Sequence, residues 1–213
     1  MHQFLLDFLF PRTSLTGQEG EWITAYERSQ LKSFPVVLTG DALKQRGVRA
    51  LDRIYAASSY AALPLLRKAV HTFKYGRVPS LAEDLAGLMI ASAPIVSALD
   101  APVLCPVPLH WTRLAQRGFN QAELLAQEIA RVLPVPVRSL LRRRRPTGHQ
   151  AWRSREERLS ALNDAFRVSI REMPRFVILI DDLSTTGATL EACARELKRA
   201  GAKRVEGWVV AQG

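Results

Sequence analysis

Cysteine is scarce in this sequence, which contains only Cys105 and Cys193 among 213 residues. The two lie far apart in apolar surroundings and no C-x-x-C pair occurs, so we expect buried thiols in a reducing cytoplasm and no disulfide. The four histidines show no ligand spacing either, and we expect no zinc. The sequence therefore gives no support to a cysteine- or histidine-held metal centre.

Long apolar runs are also missing. None approaches the roughly 20 residues of a membrane-spanning helix, so we expect no membrane insertion. The short apolar stretch at the N-terminus is interrupted by Asp7 and lacks a basic flank. It is typical of a packed amphipathic helix and not of a signal peptide.

Both common phosphate-binding fingerprints, G-x-x-x-x-G-K-[ST] and G-x-G-x-x-G, are absent as well. What the chain has in excess is positive charge: the net charge is +10 and the pI is about 10.3. A basic surface favours nucleic acid, phosphorylated metabolites or anionic membrane, although it also serves solubility alone. Hydrophobic residues make up 47% and charged residues 23%, as in a soluble globular protein.

The last third of the chain predicts the fold class. Residues 176–180 form a continuous apolar run, which is typical of a strand buried on both faces. A helical apolar period follows, Gly201 ends it, and residues 204–211 read as a second strand. Strand, helix and strand in this order predict an α/β fold with a parallel sheet.

Weaker patterns cover the rest of the chain. Residues 11–50 carry several glycines in mixed polar sequence, and we expect loops with little regular structure there. A basic loop is expected at 110–118, after a short buried strand. The other predicted elements are helices at 60–73, 80–91 and 119–133, the last capped by Asn120, and strands at 101–107 and 165–170.

Residues 177–189 read V-I-L-I-D-D-L-S-T-T-G-A-T, two acids followed by a loop of small hydroxylated residues. In an open parallel sheet this loop lies at the ligand-binding edge and leads into a helix N-terminus, which attracts phosphate. Asp181 and Asp182 can accept hydrogen bonds from a cis-diol. The pattern predicts a sugar phosphate as ligand. Its phosphate would lie on Ser184, Thr185, Thr186, Gly187, Ala188 and Thr189.

This stretch resembles the phosphoribosyl pyrophosphate (PRPP) motif of type I phosphoribosyltransferases. Three further segments, H-T-F-K-Y-G-R at 71–77, P-V-P-L-H-W-T-R-L-A-Q-R-G-F-N-Q at 106–121 and R-P-T-G-H-Q from Arg145, resemble the ComF family in the same order. The resemblance implies a phosphoribosyltransferase-like domain over 51–213. Members of this family usually begin with a four-cysteine zinc ribbon, so residues 1–50 resemble a degenerate ribbon without metal ligands.

The family resemblance also implies roles for individual residues. Asp181 and Asp182 would orient the ribose in catalysis, and Mg²⁺ would arrive with PRPP without a confident protein ligand. Lys74, Arg113 and Arg117 would bind the pyrophosphate. The loop carrying the two arginines could instead be simply solvated, and Lys74 could instead cap its helix.

The basic segment 142–158 has three open interpretations: a linker, a lid over PRPP, or a nucleic-acid track. Trp152 and Trp111 could stack on bases of a single strand or belong to the core. The arginines assigned to nucleic-acid binding are Arg142, Arg143, Arg144, Arg145, Arg153 and Arg155.

Three hypotheses for function follow. The chain is a phosphoribosyltransferase for an unidentified acceptor, a DNA-handling protein of natural competence, or a non-catalytic PRPP sensor. The ComF resemblance favours a cytoplasmic protein that binds PRPP and single-stranded DNA, with partners in the DNA-uptake machinery. Catalysis and DNA binding need not exclude each other, since fold alone does not decide function.

Overall fold

A five-stranded sheet forms the centre of the protein, in a computed structural model that describes residues 12–94, 100–144 and 165–213. The strand order is β1-β2-β7-β6-β3, with β1 antiparallel to β2 and the other pairs parallel. The predicted α/β class with a parallel sheet is confirmed. The strands of this sheet are β1 (Val36–Thr39), β2 (Arg53–Ser59), β3 (Val103–Pro106), β6 (Phe176–Ser184) and β7 (Arg204–Gln212), and a separate antiparallel pair consists of β4 (Leu141–Arg143) and β5 (Phe166–Val168).

Seven helices in the described ranges surround these strands, and the two faces of the sheet carry different ones. Leucines, valines and alanines of α3, α4 and α6 pack against one face. The other face packs against α7, Leu43 of α2 and the β4–β5 pair. The helices are α1 (Ala25–Gln30), α2 (Gly40–Gln45), α3 (Pro64–Tyr75), α4 (Leu81–Ser92), α5 (Trp111–Arg117), α6 (Gln121–Val132) and α7 (Ala188–Arg199).

The C-terminal βαβ unit matches the sequence prediction closely. Val177 and Leu179 of β6 face the α7 side while Ile178 and Ile180 face the opposite core, so the strand is buried on both faces. The strand is longer than predicted, because it continues through Asp181 and Asp182 to Ser184 and pairs with β7 along this length. The two acids therefore lie within the end of a strand and not in a loop.

The prediction of little regular structure over residues 11–50 is wrong. The described part of this region contains α1, β1 and α2, and β1 extends the central sheet by pairing with β2, Val36 opposite Ala56. The domain boundary expected near residue 50 thus falls between two strands that pair directly. These elements are four to six residues long and half-exposed, so they have too little apolar period to stand out in the sequence.

The expected loop at 110–118 is also wrong, because residues 111–117 form α5. His110 caps its N-terminus by accepting the Thr112 N–H at 3.4 Å, and Gly118 ends it at φ +86°. Glycine is an ordinary helix end, whereas histidine is not among the residues preferred at an N-cap. Apolar periodicity could not reveal this helix, because within the described part of the chain α5 buries none of its residues.

A buried carboxylate organises the turn before α1. Glu27 accepts hydrogen bonds from Ser14 Oγ at 2.9 Å, from Thr16 N and from Thr24 N at 2.8 Å, while the Thr24 hydroxyl caps the helix. Burial alone would raise the pKa of Glu27, but the hydrogen bonds from Thr24, Thr16 and Ser14 outweigh it and lower the pKa from 4.5 to about 2. The ionised form therefore holds this turn together.

Acid should loosen this turn in a defined range of pH. Because the folded pKa of Glu27 is depressed, its stabilisation is present above about pH 4.5 and is lost as the pH falls towards 2. Glu27→Gln should lower the free energy of unfolding at pH 7 by about 1–3 kcal/mol and weaken the acid dependence. Urea unfolding at pH 7 and pH 3 measures both, with the exposed Glu19→Gln as control. Equal stability of Glu27→Gln and wild type at pH 7 would contradict this.

Three expectations from the sequence concern the N-terminus, the membrane and the cysteines. The amphipathic helix expected at the N-terminus lies outside the described residues. In the described ranges, no helix combines the length and apolar character needed to cross a bilayer. Both cysteines are buried free thiols, as expected.

Candidate functional site

Asp181 and Asp182 lie where the chain leaves the sheet towards opposite faces. After β3 the chain continues into α6 on one face, whereas after β6 it continues into α7 on the other. Pro106 at the end of β3 pairs with Ile180, so β6 projects past its neighbour and the acids stand at the opening. Ligands of open α/β sheets bind in such a crevice.

Asp182 forms a buried ion pair with the last turn of α3. Its Oδ1 lies 2.8 Å from Lys74 Nζ, and Asp182 itself is only 5% exposed. Lys74 thus neutralises one of the two acids in this structure, an arrangement that neither alternative in the sequence analysis anticipated. An ion pair shielded from water holds both side chains in place, because separating them would leave an uncompensated charge.

Asp181 lies on the other face of β6 and accepts a hydrogen bond from the Asp182 N–H at 2.9 Å. Burial of its carboxylate and the adjacent Asp182 charge raise the pKa of Asp181 from 3.8 to about 7, while the Lys74 charge opposes the change. The carboxyl is therefore held at a position that disfavours its own ionisation. Perturbed groups of this kind cluster at functional sites.

The raised pKa of Asp181 predicts a stability that falls with pH. The unfolded carboxyl ionises near 3.8 and the folded one near 7, so its contribution to stability is lost as the pH rises between these values. Asp181→Asn should therefore raise the free energy of unfolding by about 1–3 kcal/mol at pH 8, with little gain at pH 4. Thermal unfolding at both pH values checks this against the exposed Asp41→Asn. A variant less stable than wild type at pH 8 would refute it.

The turn after β6 is fixed from two sides. The carbonyl of Thr185 accepts hydrogen bonds from Arg46 Nη1 at 3.1 Å and from Gln212 Nε2 at 2.8 Å. Gly187 adopts φ +79°, and a methyl group built on it would lie 2.8 Å from Val48 Cγ2. Glycine is thus required for the left-handed backbone and for the contact with Val48, in addition to any close approach of a ligand.

The segment 184–189 presents polar groups towards this opening. The Ser184 hydroxyl is buried and has no hydrogen-bond partner among the described residues. Thr186 Oγ1 accepts the Ala188 N–H at 3.3 Å, whereas the Thr189 N–H belongs to the first turn of α7 and has no partner within the helix. Free N–H groups and the helix dipole make this end of α7 suited to an anion.

The three residues expected to bind pyrophosphate do not all lie together. Lys74 and Arg117 line one cavity of about 230 Å³ between α3 and α5. Arg117 donates to Gln121 Oε1 at 3.0 Å. Arg113 is instead close enough to Arg143 for their charges to repel. Lys74 and Arg117 therefore share a cavity, whereas Arg113, one turn earlier on α5, interacts with Arg143.

The arginine tract is not uniform. Arg142 in β4 and Arg144 just after it are exposed, whereas Arg143 between them is half-buried. The Arg143 guanidinium lies 5.3 Å from the ring centroid of Phe166. Burial lowers the pKa of Arg143, the Arg113 charge lowers it further, and Asp181 opposes the change. Arg143 thus turns towards Asp181 and away from the exposed tract, contrary to its assignment as a surface nucleic-acid contact. The assignments of Arg145, Arg153, Arg155 and Trp152 lie outside the described residues.

A larger cavity lies away from the acids. It has a volume of about 1080 Å³ and lies at the opposite ends of the strands, lined by residues near the starts of β3, β6 and β7. It is far from the acids and from the glycine turn. As for metal, the described residues contain no group of three or more His, Cys, Asp or Glu that could hold an ion.

Several contributors to the site carry no signal in the sequence. Arg46 and Gln212 fix the Thr185 carbonyl from distant parts of the chain. Arg77 donates to the Gln116 carbonyl at 2.6 Å and so joins the end of α3 to α5. Only the positive charge of Arg77, within the H-T-F-K-Y-G-R segment, could have suggested a role.

Comparison with known proteins identifies relatives of this chain. The phosphoribosyl transferase domain profile matches residues 120–213. Competence protein F of Haemophilus influenzae is 29% identical over 205 residues, covering 87% of this chain and 88% of that protein. DNA utilization protein YhgH of Escherichia coli K12 is 33% identical over 162 residues, covering 74% and 70%. A solved structure of the allosteric regulatory enzyme of purine biosynthesis aligns with TM-score 0.40 and 17% identity, over 62% of this chain and 25% of that one.

Proposed function

This chain belongs to the ComF family and has the type I phosphoribosyltransferase fold, and on that premise we propose that it binds PRPP at the carboxyl end of β6. The observation that carries the proposal is that Asp181 and Asp182 stand at the end of β6, where it projects past β3, and lead directly into the Gly187 turn and α7. In this proposal the ribose lies at the two acids and its 5-phosphate lies at the N-terminus of α7.

Each group in the crevice has a chemical task in this proposal. The N–H groups and hydroxyls of residues 184–189 hold the 5-phosphate. Asp181 and Asp182 accept hydrogen bonds from the ribose 2- and 3-hydroxyls, and Lys74 holds the Asp182 side chain in place through their ion pair. Arg117, on the same cavity as Lys74, and Arg113 bind the pyrophosphate.

The residues fit a magnesium ion that is carried by PRPP. Mg²⁺ is usually held by one or two carboxylates together with substrate phosphates and water, and the described residues contain no dedicated cage. Asp182 is already paired with Lys74, so Asp181 is the carboxylate of this pair that could contact the ion. When bound, Mg²⁺ would neutralise negative charge on the pyrophosphate oxygens.

If the site turns over, the reaction is substitution at the anomeric carbon. The bond from C1 to the pyrophosphate oxygen breaks with its electron pair leaving on pyrophosphate, and a lone pair of the acceptor forms the new bond to C1. The transition state resembles an oxocarbenium ion, which Asp181 in its ionised form and Asp182, held by Lys74, would stabilise near the ribose. Arg113 and Arg117 stabilise the departing pyrophosphate.

Calorimetry tests the binding site directly. PRPP titrated with Mg²⁺ should bind saturably to the wild-type protein, and ribose 5-phosphate or pyrophosphate alone should bind more weakly because each fills half of the site. No heat of binding from PRPP would overturn the proposal. Pyrophosphate release with a panel of acceptor bases then separates a transferase from a sensor, which binds PRPP without turnover.

A second part of the proposed function is DNA handling in competence. The relatives are named for competence and for DNA utilization, and this chain carries a net charge of +10. We propose that it binds single-stranded DNA in the cytoplasm, together with partners of the uptake machinery. Phosphate contacts by exposed arginines supply affinity without sequence preference.

Exposed arginines of the tract should carry a measurable share of that affinity. Arg142→Ala with Arg144→Ala should weaken oligothymidylate binding several-fold and lower the slope of log affinity against log salt by about 1.4, or about 0.7 for each lost phosphate contact. The control removes the same charge elsewhere, through Arg131→Ala with Arg199→Ala on exposed helix faces. Equal losses in both double variants would mean that only net charge matters and would contradict a role for the tract.

A further inference from the structure

Helix α5 is fully formed yet exposes its large apolar side chains. Trp111 is 71% exposed and Leu114 is 43% exposed, and within the described chain no residue of the helix is buried. Caps at His110 and Gly118 hold the helix in place without a packed face. Exposed tryptophan and leucine on one short helix are typical of a binding surface.

A residue of α3 lies beside this helix. Leu114 is three residues from both Trp111 and Arg117, so it neighbours each of them on the surface of α5. The Arg117 guanidinium lies 5.2 Å from the ring centroid of Tyr75, which is itself 52% exposed. We call Trp111, Leu114, Arg117 and Tyr75 the α5 strip.

The sequence segments that contain the α5 strip carry basic residues and no acidic ones. Residues 71–77 and 107–120 contain Lys74, Arg77, Arg113 and Arg117 and no Asp or Glu. Arg77 takes a left-handed backbone, φ +54°, while its side chain joins the end of α3 to α5. A non-glycine residue in this conformation is held by its surroundings, so the two helices present one fixed surface.

From these features we infer that the α5 strip binds the bases of single-stranded DNA by stacking. Exposed aromatic rings beside the cations Arg77 and Arg117, on segments that carry no acidic residue, match the requirements of a single strand: base faces stack on the rings and phosphates meet the cations. This inference rests on the proposed DNA-handling function. It assigns base contacts to α5 and α3, whereas the arginine tract supplies phosphate contacts.

The α5 strip also adjoins the PRPP crevice. Lys74 pairs with Asp182 on one side and lines a cavity with Tyr75 and Arg117 on the other. A base stacked on Tyr75 would therefore lie next to the residues proposed for pyrophosphate. Nucleic acid and PRPP would meet at this cavity.

Fluorescence anisotropy of labelled oligothymidylate tests the inference with four variants. Trp111→Ala and Tyr75→Ala should each weaken binding by about 5- to 100-fold, the effect of losing one stacked base. Trp111→Phe, which keeps a ring, should stay within a few-fold of wild type. The control is Tyr26→Ala, which removes a ring that is 72% exposed on α1 and should leave the affinity unchanged.

Two further readouts separate the possible failures. Duplex DNA, whose bases are covered, should bind more weakly, and Trp111→Ala should not change that binding. Oligothymidylate affinity of Trp111→Ala equal to wild type would overturn the inference, as would wild-type protein that binds no single strand. PRPP calorimetry on wild type and Trp111→Ala should give equal affinity, so failure of the PRPP site would be seen independently.

Discussion

Asp181→Asn combined with Asp182→Asn is expected to abolish PRPP binding. Each carboxylate would lose a charge-assisted hydrogen bond to a ribose hydroxyl, which contributes about 1.5–3 kcal/mol. Together the two losses amount to about 100-fold or more in affinity, enough to remove the calorimetric signal at ordinary concentrations. Asparagine keeps the size and one acceptor oxygen, but Asp182→Asn also leaves Lys74 without its partner, so urea unfolding of the double variant must show that it is folded under the calorimetry conditions.

The single variants and one control make this prediction specific. Asp41→Asn, on the exposed face of α2, should bind PRPP as wild type does. Asp181→Asn should be at least as stable as wild type at pH 8 even while its affinity falls, which excludes unfolding as the cause. Unchanged PRPP affinity in the double variant would mean that the acids are only part of the scaffold.

Lys74→Met is expected to destabilise the fold and weaken PRPP binding together. Removing the ammonium group leaves the Asp182 carboxylate buried without its partner at 2.8 Å. Losing one member of a buried pair is strongly destabilising, and allowing for the small exposure of Lys74 we expect about 2–4 kcal/mol in urea unfolding at pH 7. The exposed pair of Lys44 and Asp41 is the matched control, and Lys44→Met should cost under about 0.5 kcal/mol.

A double variant distinguishes the structural from the ligand-binding role of Lys74. Lys74→Met with Asp182→Asn removes both charges and should recover most of the lost stability, because no buried charge remains unpaired. It should not recover PRPP affinity. If the double variant is as unstable as Lys74→Met alone, the ion pair is not the reason for the loss.

The sequence predicted the C-terminal half of the fold because that half obeys local rules. The apolar run of β6 and the helical period of α7 each reflect burial on a known face, so pattern alone identified them. The positions of the paired acids and the glycine turn were likewise predicted, because they lie between a strand and a helix that the sequence indicates clearly. The resemblance to a known family then indicated PRPP as the expected ligand.

Features that depend on contacts between distant segments could not be predicted. The ion pair of Lys74 with Asp182 joins α3 to β6, and no local pattern connects them. Arg143 looked like one more member of a basic tract until pairing of β4 with β5 turned it inward. Helix α5 was not predicted because it buries no residue, so its sequence has no apolar periodicity.

The hydrogen bonds of the Glu27 turn have a consequence for the conditions in which this part of the chain can fold. Four protein groups close this turn, and the N-terminal region contains no thiol, since both cysteines lie at or beyond residue 105. Thiol oxidants, which act on cysteine, therefore have no target in it. The hydrogen bonds of this turn can form in an oxidising as well as in a reducing environment.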